Sequence, residues 1–421
     1  MKKLMSLFCV SLICLLCGCN DDMKVKETIT YTVNKPVLMS ADVFRSSVKV
    51  TTQPEEITQK GKICFYEGYL YISEPGKGIH IIDNRNPASP ASVGFIELIG
   101  NADVAIRNNI LYADSYIDLV GFDISNPALP VLKSRLENVF PQSYPPIEEG
   151  YIDSELCNLA ATNGNIVVGW TQEEETHTYE YYKSEQVYND AMTNSSGGSS
   201  GGSTGVNGSM SRFGLYKDYL YVVLNDYMSI FNLAGDKPEK VVENMYIGGS
   251  VETIFSYKDC MFMGTPTGMI IYSVANPLKP EYQSMMWHVY GCDPVVVEND
   301  IAYVTVHSGN NCGQNFNELI ILNVKDVKNP QPIVSYTMTK PKGLGIDNGT
   351  LFLCDDGLKI YNAEDPQTLM ANRLAHYSGM EGYDVIPHDN VLMMIADDGI
   401  YQYDYSNLKE IKQLSKLAVK K

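Results

Sequence analysis

Two histidines and two cysteines fall close together late in the chain: His288, Cys292, His307 and Cys312. Zinc accepts those ligand types, but the spacings match no standard site. Cys292 begins a strand, and Cys312 lies in the loop leaving the strand beside it. A hairpin therefore brings the two sulfurs near each other, and a disulfide is expected if the chain reaches an oxidising compartment. Cys64, Cys157, Cys260 and Cys354 fall within strands and read as buried hydrophobes. None of the six cysteines beyond the N-terminal apolar region forms a C-x-x-C pair, which leaves zinc ribbons and thioredoxin-like redox chemistry without support. Asp355-Asp356-Gly357 and Asp397-Asp398-Gly399 suggest calcium at first sight, yet further oxygen ligands at calcium-loop spacing are missing. Both sit where Asp-Gly is expected from turn geometry alone. The chain also lacks a serine elbow, a phosphate loop and a dinucleotide fingerprint. No metal, no cofactor and no catalytic residue is expected. Acids scattered over a large fold still leave room for polysaccharide hydrolysis or lysis.

The elements that must position these residues come from a repeat. A turn dipeptide followed by a short apolar strand recurs eight times, beginning at Glu67, Asn108, Asn163, Lys217, Lys258, Asn299, Asn348 and Asp389. Such dipeptides supply the positive φ of a tight hairpin. Their spacings are 41, 55, 54, 41, 41, 49 and 41 residues, so 41 is the unit and the longer intervals carry loop insertions. A third strand follows in most units, as in Gly78–Asp83 and Gly268–Val274, and then a turn such as Asn86-Pro87-x-x-Pro90. Proline cannot donate to a ladder, so the strand stops there. A fourth, more polar strand closes each unit as an edge should.

Four antiparallel strands per unit predict an all-β fold, a single β-propeller of about eight four-stranded blades. The blades are expected near 61–100, 101–140, 155–194, 210–248, 250–288, 291–339, 342–377 and 381–419. The third unit is the weakest. Its third strand is approximated by His177–Tyr182, and a Gly/Ser-rich loop, Ser195–Ser209, follows. The alternative is seven blades with a large insertion.

Propeller topology sorts the loops. The chain enters each inner strand at one face, called here the loop face, and the hairpin turns lie on the other. Insertions at Asn138–Ser154 and His307–Asn317 fall on the loop face, where binding usually resides. Trp287, His288 and Tyr290, with His307 across from them, gather there. So do Phe140 and Tyr144, Trp170, and His376 with Tyr377. An aromatic concave face suits a glycan, a peptide or a partner protein. The same rings also serve as caps of the core at the loop bases.

The net charge of −18 argues against nucleic acid, whose phosphates require clustered Lys and Arg. At the N-terminus, Lys2 and Lys3 precede an apolar run, Leu4 to Leu16, too short to span a bilayer. It ends in Leu16-Cys17-Gly18-Cys19, which resembles a bacterial lipobox. Residues 1–18 are thus expected to be a lipoprotein signal peptide and Cys19 the lipidated residue. Residues 19–60 then form a tether and N-terminal segment, and 61–421 the propeller. Loss of the two lysines takes the charge from −18 to −20.

Asn20-Asp21-Asp22 resembles the export signal of surface lipoproteins in the Bacteroidetes group. The segments GIHIIDNRNPASP and GFDISNPALP resemble the LVIVD-repeat proteins, which implies a propeller and no particular activity. The expected location is the outer membrane, at the cell surface, with membrane contact through the lipid anchor only. Three roles follow from these readings: a binding or scaffold protein, a polysaccharide hydrolase or lyase, and a structural subunit of an outer-membrane complex.

Overall fold

The computed structural model describes residues 24–59, 61–140, 143–147, 149–182, 212–224, 226–249, 251–287, 294–307 and 317–420. Within them lie seven four-stranded antiparallel units, at 63–97, 104–136, 213–246, 253–287, 295–337, 344–377 and 382–418, called here blades I to VII. Strands follow one another in chain order from the inner to the outer edge of each blade. Blade I gains a fifth strand, Lys49–Thr51, outside its fourth.

The same local chemistry builds every blade. Both residues of Glu67-Gly68, Asn108-Asn109, Asn299-Asp300, Asn348-Gly349 and Asp389-Asn390 have positive φ, the geometry that matches the twist of a two-residue hairpin. The last residue of each third strand is Asp83, Asp123, Asn232, Ser273, Asn323, Asn362 or Asp404. In all seven blades its side-chain oxygen accepts from the backbone N–H two residues on, at 2.8–3.4 Å. This bond turns the chain toward the outer strand before proline can interfere. A register shift between third and outer strands recurs in every blade, and such bulges increase local twist.

Packing between blades forms the core. Seven apolar clusters each straddle one junction between neighbouring blades. Between I and II, Tyr71, Ile79 and Ile96 meet Val104, Leu111 and Phe122. The other junctions are built alike. The second strand of each blade is therefore buried on both faces, which is why it reads as a nearly continuous apolar run rather than an alternating one. The ring closes between VII and I, where Met393, Ile395 and Ile400 pack on Ile63, Leu70 and Ile72. Among the described residues, one backbone–backbone bond crosses that seam, Lys420 N to Ile57 O at 2.9 Å, and the other contacts there involve side chains. Asn84 and Gln402 clasp across it in a reciprocal amide pair (2.7 and 3.0 Å) with both residues buried.

The third sequence repeat corrects the preferred count from eight to seven. Blade II packs directly on blade III through Tyr112 and Leu119 against Phe213 and Leu220, so no blade stands between them. Asn163-Gly164 is not a hairpin turn. Ser154–Thr162 is a helix, with Asp153 accepting from Leu156 N at its start. Gly164, at φ +69°, stands just past its end, where a left-handed residue closes the last turn. The strand after it, Asn165–Tyr182, pairs residue for residue with Lys24–Ser40 in an antiparallel ribbon, beside a short parallel strand at Tyr151–Ile152. Cys157 accordingly lies on a helix rather than a strand.

The foot of this ribbon is fixed to the loop face. The helix Ala41–Ser46 follows its first strand and buries Phe44 in a cluster with Tyr116 of blade II and Ile166 of the ribbon. Arg45 binds the fully buried Asp118, Nε to Oδ2 at 2.9 Å.

Truncation of Gln402 to Ala strands the Asn84 amide in the closing seam. A loss of about 1–3 kcal/mol is expected in urea unfolding, with no matching loss for Ser406→Ala on the exposed turn nearby.

Candidate functional site

The loop face carries most of the buried charge, and nearly all of it is committed to structure. Asp103 stands just before the inner strand of blade II and Lys62 just before that of blade I. The two form an ion pair with both side chains under one-tenth exposed. Asp103 also accepts from Arg212 N at 2.7 Å, and the Arg212 guanidinium reaches Asp114 at 3.1 Å. These contacts tie blades I, II and III together around the axis.

Asp114 shows how each carboxylate is used. It ends the second strand of blade II, and its Oδ1 accepts from Ala102 N, Asp103 N and Asn101 Nδ2 at 2.7–3.2 Å. Burial pushes its pKa up, and Arg212 opposes the shift. Asp355 repeats the arrangement in blade VI, accepting from Thr339 N, Lys340 N and Lys359 Nζ at 2.6–3.0 Å. Asp397 does so in blade VII, accepting from Glu381 N at 3.1 Å. Asp118 receives Arg45, Arg135 and Asn138 N. Each acid fastens the incoming chain or a neighbouring loop. A general base needs an accessible lone pair and a pKa tuned to its task, and these acids spend their oxygens on backbone and cation donors.

Glu74 and His80 form one further buried group, in blade I. His80 Nε2 donates to Glu74 Oε2 at 2.7 Å, Lys77 donates to the other oxygen at 2.7 Å, and Thr58 also donates to it. Burial alone would raise the Glu74 pKa, but Lys77, Thr58 and His80 together hold it below the usual carboxylate range. Burial lowers that of His80 against the pull of Glu74. Glu74 sits between hydroxyl and imidazole, so the order required of a nucleophilic triad is absent. The thiols are equally quiet. Burial pushes Cys64 and Cys157 up to about 11, and Cys354 well above its usual value, so they stay protonated at neutral pH.

The residues expected to form an aromatic face are only partly brought together. Tyr144 and Trp170 meet edge to face at 6.1 Å, and Trp170 Nε1 donates to Pro145 O at 2.9 Å. Both belong to the foot of the ribbon. Trp287 ends the outer strand of blade IV and is 72% exposed. His307 is buried at the end of the second strand of blade V. His376 donates to Asp356 O at 2.7 Å. Tyr377 is a core residue, with its ring 4.9 Å from that of Tyr403 and its hydroxyl donating to Ile411 O at 2.8 Å. Phe140 likewise caps the core between blades II and III. His288, Tyr290, Cys292 and Cys312 lie outside the described residues, and with them the expected disulfide. The described residues hold no cluster of metal-binding side chains.

The ribbon was not foreseen, and it carries its own aromatic row. Tyr31 stacks on His177 (5.2 Å between ring centres), His177 on Tyr179 (6.3 Å), and Tyr151 meets Tyr31 edge-on (5.6 Å). The signal lay in the alternation of residues 175–179, which places Glu175, His177 and Tyr179 on one side and Thr176 and Thr178 on the other. A cavity of about 170 Å³ lies on the opposite, hairpin face at the closing seam, lined by Phe65, Pro87, His388, Val391 and Met393 among others.

The LVIVD repeat pattern matches residues 61–96 and 100–137, which are blade I but for its last residue and the whole of blade II. The chain carries LVIVD repeats. No curated protein matches it in sequence. Among solved structures it is similar to the computationally designed Ika8 protein, at 8% identity and a TM-score of 0.50, covering 87% of this chain and 88% of that one. Hsv2 of Kluyveromyces lactis follows at 10% identity and 0.48, with 86% and 99% covered. At such identities the first likeness speaks for fold alone, and the second carries no argument.

Since the folded pKa of both Glu74 and His80 is depressed, the unfolded chain binds more protons as pH falls. Their contribution to stability is thus present at neutral pH and is lost on acidification, that of His80 first, below the ordinary histidine range. His80→Asn keeps a donor for Glu74 without titrating. Between about pH 7 and about pH 5.5, urea unfolding should show a smaller loss of stability in this variant than in the parent chain.

Proposed function

We propose that the chain is an exported, lipid-anchored binding protein that uses the loop face of the propeller to hold a glycan, peptide or protein. The observation that carries this reading is the division of labour on that face. Its described carboxylates serve as fasteners between chain segments, whereas Trp287 and Tyr151, 72% and 66% exposed, present rings to solvent. Exposed aromatic rings offer contact area at little entropic cost. The lipobox-like sequence ending at Cys19 and the Asn20-Asp21-Asp22 segment after it support anchoring on the surface of an outer membrane. The hydrolase or lyase alternative is the weaker one, because it requires an acid with an unengaged oxygen near the axis.

A glycan array probed with the chain from residue 20 onward, beside Trp287→Ala and Tyr151→Ala, tests the reading. Binding at least about tenfold weaker in either variant supports a glycan ligand on the loop face. Binding that neither variant weakens moves the site elsewhere. No binding to any glycan directs the search to a protein partner by cross-linking on intact cells.

A further inference from the structure

The ribbon has a property that binding by the propeller does not require. Its first strand runs unbroken from Lys24 to Ser40 and is paired along its whole length, with one register shift at Val37/Leu38. Beyond the foot, among the described residues, its strands pair only with each other and with Tyr151–Ile152. Lys26–Thr30 and Thr176–Tyr179 are exposed residue after residue, on both sides of the ribbon. A ribbon lying flat on the propeller would hide one side.

An isolated two-stranded ribbon is marginal in water, yet this one is reinforced across its strands. Thr28 and Thr30 bond to Thr178 and Thr176 through their hydroxyls at 3.1 and 2.9 Å on one side. The Tyr31–His177–Tyr179 stack braces the other. Lys35 spans Glu173 and Glu175 at 2.7 and 3.4 Å. Cross-strand pairs of these kinds are the unit of sheet stabilisation.

Cys19 lies five residues before Lys24, so the far tip of the ribbon is next to the residue we read as lipidated. We infer that the ribbon is a stalk of fixed length, holding the loop face about 50 Å from the bilayer, at roughly 3.3 Å per residue. This inference rests on the lipid anchor proposed above. A flexible segment of the same length would reach only about 23 Å on average.

The test is a height measurement. A fluorophore is placed at Ser378, on the exposed loop leading into blade VII, through an unnatural amino acid, and acceptor lipids are placed in the bilayer. The full mature chain is held on nickel-chelating vesicles by a histidine tag at position 19. Deletion of 26–29 together with their partners 177–180 keeps the remaining register, and the separation should fall by about 13 Å. Insertion of four Thr residues in each strand at the same place should raise it by as much. A separation that ignores both changes, or a propeller found against the bilayer, overturns the stalk. Thermal melts of both variants show that the propeller is intact. The anchor is tested separately in cells by palmitate incorporation into the parent chain and Cys19→Ser. A label that Cys19→Ser loses, with heights that follow ribbon length, establishes both. Absence of label with length-dependent heights overturns the anchor and the membrane role of the stalk, while the ribbon's rigidity stands.

Discussion

Every blade of this protein has two apolar faces, and no blade can cover both by itself. That constraint organises the rest. The second strands are apolar runs because neighbours press on them from either side, and the ring must close because an open end would expose a whole sheet face. Apart from one backbone bond from Lys420, closure here relies on side chains, with isoleucines and methionines interdigitating between the last blade and the first and one buried amide pair setting the match. About 0.8 kcal/mol per buried methylene accumulates seven times over around the ring.

Because the sheets supply that energy, the polar groups are left to fix geometry. Along the hairpin face, an inner-strand residue of one blade reaches the first turn of the next. Tyr66 meets Asn109, Tyr216 meets Asp259 and Tyr257 meets Asp300, each pair 43 residues apart. On the loop face, carboxylates at the ends of second strands catch the chain as it enters its own blade or the neighbouring one. The charged residues that looked in the sequence like raw material for catalysis are mostly these latches.

The architecture was largely legible because its signals are local. A two-residue turn, an apolar run and an Asp or Asn two residues ahead of the next backbone N–H recur at a fixed interval, and each has one physical meaning. The count was not legible, because Asn-Gly has two. At Asn348-Gly349 both residues take positive φ in a hairpin, while at Asn163-Gly164 the glycine ends a helix. The helical text before it, with Leu156, Cys157 and Ala160 at helical spacing, was the cue that separated them. The ribbon was harder still. Its two strands lie about 140 residues apart, and nothing local in Lys24–Ser40 names its partner. The roles of the individual loop-face rings were hard to read for a related reason. Tyr377 and Phe140 do at the surface what core residues do, filling the gap between two blades, and sequence position alone does not separate a cap from a contact.

The side-chain seam has a consequence for how such a chain can change over time. Where the first and last strands share one sheet, gaining or losing a blade means re-cutting a sheet in the middle. Here every blade begins and ends within one stretch of chain, so a blade can be duplicated or deleted as a whole unit. The new neighbours need only match in the shape of their apolar faces. A lineage built this way is free to drift in ring size while keeping each blade's grammar intact, and the helix and ribbon strand inserted between blades II and III show that the junctions also admit foreign elements without opening the ring.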